Sequence, residues 1–160
     1  MKKVSLGLLL LFSLIFALKA LPEEQMLVIR EGDTKKILWE RPVVEGEIVA
    51  ISFVHSVNQS PVTESYQVMG DEFLFHELRF QTFGAGMPTE LYEGERFHQE
   101  GEDMIISGGT RSFSSLHYIV GTISEHVFSM SELEMPLGET FGKNAKLSFT
   151  MEKRKGLYAK

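Results

Sequence analysis

The sequence contains no cysteine. That excludes disulfides, thiolate zinc sites, iron–sulfur clusters, a thiol nucleophile and a lipid anchor on cysteine. Positive charge is also scarce. Sixteen Lys and Arg stand against twenty-two Asp and Glu, for a net charge of −6. Lys2, Lys3 and Lys19 fall within the first twenty residues, so beyond Ala20 thirteen basic residues face all twenty-two acidic ones, a net −9. A nucleic-acid binder needs a basic footprint, so no nucleic-acid partner is expected. Beyond residue 21 no helix-period pattern lasts more than two turns. There is no H-E-x-x-H, since His76-Glu77 runs into Leu78-Arg79-Phe80, and no G-x-S-x-G elbow. His98, His117 and His126 are scattered singly and read as solvated or core-satisfied histidines.

One long hydrophobic run is present, and it comes first. Lys2 and Lys3 precede an apolar stretch from Val4 to Leu18, and Glu23 and Glu24 follow it. This charge asymmetry marks residues 1–20 as a signal peptide or an N-terminal membrane anchor. Cutting after Ala20 or Ala17 would place Leu18 or Ile15 where a small residue is wanted, which favours an uncleaved anchor. Against that, the run is short for a bilayer span of about twenty residues, unless Lys19 snorkels. Residues 21–160 then form a single exported domain, anchored at the outer face of the cytoplasmic membrane, or secreted or periplasmic if the leader is cut.

Alternating and short apolar runs recur through the exported part, separated by turn residues. Strands are expected at Met26–Arg30, Lys36–Glu40, Glu47–Val57, Val62–Met69, Glu72–Phe83, Glu95–Gln99, Met104–Ser107, His117–Gly121, Val127–Met130 and Lys146–Met151. The fold class is all-β: an antiparallel β-sandwich or partly open barrel, with a central three-strand meander at about 47–57, 62–69 and 72–83. The basic tail Lys153-Arg154-Lys155 reads as a solvated end.

The meander can be threaded from its turns. A four-residue loop at Asn58–Pro61 sets Val57 opposite Val62 and His55 opposite Glu64. A two-residue turn at Gly70-Asp71 sets Tyr66 opposite Phe75, Glu64 opposite Glu77 and Val62 opposite Arg79. His55, Glu64 and Glu77 then form a polar row across an otherwise apolar face, with Arg79 diagonal to Glu64. Carboxylates are seldom buried without a partner. The row is therefore an internal salt-bridge network, a binding site at the sheet's open end, or both. His55, Glu64 and Glu77 are the candidate metal ligands. One imidazole and two carboxylates suit calcium or manganese better than zinc. No cofactor is implied beyond that divalent cation. A hydrolase using Glu64 or Glu77 as general base would lack an accompanying nucleophile or oxyanion motif.

Two glycine turns stand out. Phe83-Gly84-Ala85-Gly86-Met87-Pro88 permits left-handed backbone at Gly84 and Gly86, as a tight corner or an anion nest. Gly108-Gly109-Thr110-Arg111 is the second, with Arg111 a candidate anion contact.

His55-Ser56-Val57, Pro61-Val62 with Glu64 and Tyr66, Glu77, Arg79-Phe80 and Gly84-Ala85-Gly86-Met87-Pro88 together resemble the signature of the domain-of-unknown-function 1850 family. Met87 stands where that signature leads one to expect leucine. The family comprises short bacterial envelope proteins with one N-terminal hydrophobic segment, often encoded beside TAXI-type TRAP transporters. The resemblance implies a partner, the TRAP-TAXI transporter membrane subunit or its solute-binding protein. It implies no reaction. The reading that follows is a non-enzymatic envelope accessory protein, with a ligand- or cation-binding β-sandwich as the alternative.

Overall fold

The computed structural model describes Leu11, residues 23–84 and residues 86–155. Leu11 apart, the expected leader lies outside them. Among the described residues no helix is long and apolar enough to cross a membrane. The strands are β1 (Glu23–Glu31), β2 (Ile37–Pro42), β3 (Ile48–Val54), β4 (Pro61–Met69), β5 (Glu72–Phe80), β6 (Glu95–Glu100) and β7 (Asp103–Gly108). They continue as β8 (Ser112–Phe113), β9 (Ser115–Ile119), β10 (Val127–Met130), β11 (Leu133–Pro136) and β12 (Lys146–Lys155), with one short helix, α1 (Leu137–Phe141), before the last.

These strands build an antiparallel β-sandwich that is not closed into a barrel. The small sheet runs β2-β1-β12-β9; the large sheet runs β11-β10-β3-β4-β5-β7-β6, with β8 paired to β5. Alternation explains the layering. Val62, Tyr66 and Val68 of β4, with Phe73 and Phe75 of β5, turn one face of the large sheet inward. They meet Leu27, Ile29, Leu116, Leu147 and Phe149 of the small sheet in one core. Rings cross the layers: Phe128 of β10 lies 5.9 Å from Trp39 of β2 and 5.5 Å from Phe149 of β12.

The meander forms, but its register departs from the threaded one in two places. Between β3 and β4 the loop is longer, spanning His55–Ser60, so Phe53 faces Val62 and Ile51 faces Glu64. His55 does not stand opposite Glu64. The cause is local. The His55 imidazole Nδ1 accepts the amide hydrogens of Val57 (3.3 Å) and Asn58 (3.1 Å). The His55 amide in turn donates to the Ser60 carbonyl at 2.9 Å. These bonds hold residues 55–60 as a turn, whereas the threading carried the strand through Val57 and turned only at Asn58–Pro61.

Between β4 and β5 the expected pairs hold from Met69–Glu72 to Tyr66–Phe75, and then the register shifts. His76 is extra, so Ser65 faces Glu77, Glu64 faces Leu78, and Val62 faces Phe80. This β-bulge turns Glu77 and Arg79 to the outer face and Leu78 and Phe80 to the core. The threaded register would have done the reverse. Energetics decide between them. Burying Leu and Phe gains about 1.5–3 kcal/mol each, whereas taking two charges into the interior costs several kcal/mol per ion.

Other differences follow from turn chemistry. The β10–β11 hairpin turns at Ser131, whose φ of 51° is left-handed without being glycine, so its sequence carried no turn signal. The basic tail is not a loose end: Lys155, Arg154 and Lys153 pair with Glu23, Glu24 and Gln25.

Candidate functional site

The structure distributes the sequence-selected residues over four places. The first lies inside the sandwich. Glu64 shares the inward face of β4 with Val62 and Tyr66, and Tyr118 reaches it from β9 of the opposite sheet. The Tyr118 hydroxyl donates to Glu64 Oε2 at 2.5 Å and the Tyr66 hydroxyl at 3.3 Å, the two phenols lying 3.5 Å apart. Burial first, and then the Glu64 charge, push Tyr66 up to about 12. The same two causes, in the same order, push Tyr118 up further. Both phenols therefore stay protonated at neutral pH and remain donors. Tyr66 is boxed edge-on by Phe73, Phe75 and Phe113 at 5.8–6.4 Å. The triad ties the two sheets together through one carboxylate.

The second place is a buried ion pair. Arg111 was expected to meet an anion, and its anion is Glu95. Arg111 Nε and Nη2 lie 2.6 and 2.5 Å from Glu95 Oε1. The Glu95 side chain is 1 % exposed, and its other oxygen accepts the Tyr92 amide at 3.0 Å. The guanidinium is stacked between Phe75 (4.4 Å) and Tyr92 (4.2 Å), a cation–π sandwich. The second glycine turn is explained by this pair. A Cβ on Gly109 would sit 2.8 Å from Glu95 Cγ, and its φ is +84°. Sequence reasoning missed Glu95, because an acidic residue opening a polar edge strand carries no mark of burial.

The third place is the outer face of the large sheet. Arg79 bridges Glu77 (3.1 Å), Asp103 (3.1 Å) and Glu100 (3.4 Å), while Gln81 donates to Asp103 at 3.0 Å. Hydrogen bonds from Gln81 and then Arg79 hold the Asp103 carboxyl below its ordinary value. The bond to Asp103 is the chief cause that raises Arg79. Glu77 and Arg79 do pair, as expected, but Glu64 is on the other side of the sheet.

The fourth is the loop layer over the β3–β4 turn. Gly86 has φ +88°, and a Cβ there would lie 4.0 Å from His55 Nε2. A Cβ on Gly84 would press on the Asn58 amide at 2.7 Å, and that amide donates to the Thr82 carbonyl at 3.3 Å. His55, Gly84 and Gly86 thus come together.

As metal ligands the three candidates do not converge. His55 caps a turn, Glu64 points inward and Glu77 outward. Among the described residues no three His, Asp or Glu side chains gather to hold an ion. Of the scattered histidines, His126 is buried and stacked on Phe53 at 5.0 Å, and accepts the Gly121 amide at 3.2 Å. Burial pushes its imidazole down, so it stays neutral. His98 pairs with Glu100 (3.4 Å) and His117 with Ser115 (3.0 Å).

No curated protein and no solved structure matches the chain. A family model described as a domain of unknown function (DUF1850) matches residues 49–137, more than half of the sequence. The matched span runs from β3 to the start of α1. It includes all four places, while β1, β2 and β12 lie outside it. On that match the chain belongs to the DUF1850 family.

Proposed function

We propose that this chain is a non-enzymatic accessory protein of the bacterial envelope. In this reading its N-terminal segment holds it at the outer face of the cytoplasmic membrane. It acts there with a TAXI-type TRAP transporter, through the membrane subunit or the solute-binding protein. The observation that carries the non-enzymatic part is how the polar candidates are used. Glu64 is held by two phenols, Glu95 by Arg111, and Glu77 and Asp103 by Arg79. Groups locked in such pairs contribute stability and register rather than proton transfer, which needs a base in reach of substrate. The leader and the family resemblance support the location and the partner.

The test is capture of the tagged full-length chain from host membranes in mild detergent. Enrichment of a TRAP membrane subunit or solute-binding protein over a tag-only control is the expected result, with reduced solute uptake in a deletion strain. Capture of neither component, together with unaltered uptake, overturns the proposal.

A further inference from the structure

The large sheet ends on a strand with an open edge. β6 pairs with β7 on one side, and among the described residues no strand pairs with its other side. Natural edge strands are usually blunted by charged side chains, lysine above all, by proline, by a bulge, by an inward-pointing charge or by extreme shortness. β6, Glu95-Arg96-Phe97-His98-Gln99-Glu100, has no proline, no lysine and an uninterrupted six-residue register with β7; its charges are Arg96, Glu100 and the buried Glu95, which Arg111 already pairs. From Arg96 to Glu100 every residue is exposed. Beside it lies an apolar shelf. Phe83, Leu91 and Phe97 are each about half exposed, and Phe83 and Phe97 sit 6.3 Å apart around a cleft of about 170 Å³. The surface thus combines unpaired backbone, an apolar shelf and a charge pattern, and the charge pattern selects the occupant.

We propose that β6 pairs antiparallel with β6 of a second copy of this chain, forming a two-fold dimer with a continuous sheet across it. A dyad perpendicular to the sheet keeps each side chain on its own face, so a residue can oppose only residues an even number of positions away. Three registers keep the dyad near the strand's centre. With Phe97 at the dyad, Arg96 faces His98 of the second copy and Glu100 is left to the Gly94 turn. With Gln99 at the dyad, pairing runs into the Gly101–Glu102 turn, where Gly101 has φ +62°. With His98 at the dyad, the five residues from Arg96 to Glu100 pair, Glu95 is left to the Gly101 turn, and Arg96 faces Glu100 of the second copy, twice by symmetry. Arg96 is the one Lys or Arg on this strand, and among the described residues its side chain has no ion-pair or hydrogen-bond partner. Cross-strand opposite charges stabilise a sheet and facing like charges destabilise it. Phe97 then lies opposite Gln99 of the second copy, which brings the two apolar shelves to either side of the dyad.

The native chain has no cysteine, so a single introduced one reports on this pairing alone. Directly opposed residues have Cα atoms roughly 4.5–5.5 Å apart, within the span of about 4.4–6.8 Å that a disulfide bridges. Full-length His98→Cys, oxidised in its own membranes, is expected to run largely as a disulfide dimer on non-reducing gels. Arg96→Cys is the control, because its copy is four residues away along the partner strand, roughly 13 Å at 3.3 Å per residue. Adding Arg96→Glu to His98→Cys should lower the dimer yield about fivefold, and adding Glu100→Arg as well should restore it. Circular dichroism of each purified variant confirms that the sheet is intact. A folded His98→Cys chain that stays monomeric overturns the proposal. So does equal cross-linking at positions 96 and 98, or a yield indifferent to both charge reversals. Any of these leaves the accessory function untouched, because capture of transporter components is read separately.

Discussion

Tyr118→Phe removes one oxygen from the sandwich interior, and the geometry sets the size of the effect. The lost bond is the 2.5 Å phenol–carboxylate contact that joins β9 of one sheet to β4 of the other. A hydrogen bond to a charged group contributes about 1.5–3 kcal/mol. Glu64 keeps the Tyr66 hydroxyl at 3.3 Å, which is a longer and weaker bond. A loss of about 2 kcal/mol is therefore expected. Unfolding entropy of about 2.1 cal/mol/K per residue over a domain of roughly 140 residues converts this to a fall in Tm of about 7 °C. Tyr66→Phe should cost less, by the ratio of bond quality. The decisive measurement is a double-mutant cycle on the full-length chain, unfolded thermally and followed by circular dichroism. In a Glu64→Leu background Tyr118→Phe should cost close to nothing, because the carboxylate acceptor is gone and only the 3.5 Å contact with the Tyr66 hydroxyl remains. Replacing both partners by apolar groups is far gentler than orphaning one. A Tyr118→Phe effect under about 0.5 kcal/mol, or one of equal size in both backgrounds, would refute the reasoning, since the triad would then not be a coupled unit.

Three further expectations follow from the other clusters. Arg111→Met strands Glu95 in a site that is 1 % exposed and should cost about 3–5 kcal/mol. Urea midpoints of the variant and of the native chain will read this loss. Arg79→Met, on the solvent side, should shift the midpoint only slightly, and the shift should shrink further in high salt. Its pH dependence follows Asp103, whose folded value is lowered: the contribution is present above the unfolded value and lost as pH falls through the folded one, so the shift should fade in acid. Gly109→Ala forces a Cβ to 2.8 Å from Glu95 Cγ at φ +84° and should cost about 1–3 kcal/mol. Gly101→Ala, with open space around it, should cost the backbone strain alone, as thermal melts of the pair will compare.

Most of the sheet was legible because alternation is a local signal. Each of the ten expected strands has a counterpart, and the Gly70-Asp71 turn set the first half of the β4–β5 register correctly. What the sequence hid was non-local. No local pattern distinguishes a β5 that carries Glu77 inward from one that inserts His76 and carries Leu78 inward; only the buried partner surface decides. The His55 turn was missed because a histidine side chain, not Asn or Gly, supplies its cap. The site residues were identified in part. Arg111 meets a carboxylate of its own chain, and His55 lies near Gly84 and Gly86. The row of His55, Glu64 and Glu77 failed because it depended on two registers at once. Tyr118 and Glu95 escaped notice because their partners lie 54 and 16 residues away, one on β4 and one in the turn before β8.

The small sheet joins the two ends of the domain. β1 and β12 pair along their whole shared length, Glu23 with Lys155 through Glu31 with Leu147. Of the described strands, β1 leaves the ribosome first and its partner β12 last. Met26, Leu27, Val28 and Ile29, buried on both faces in the finished protein, have only the β2 hairpin to lean on until about 115 further residues have been made. Closing so long a loop is a slow, high-contact-order step. The large sheet, assembled mostly from neighbours in sequence, can form ahead of it. The domain thus has a built-in order of completion, in which the first strand made is among the last to be sealed, and its apolar stretch is the segment a chaperone would have to cover in the interval.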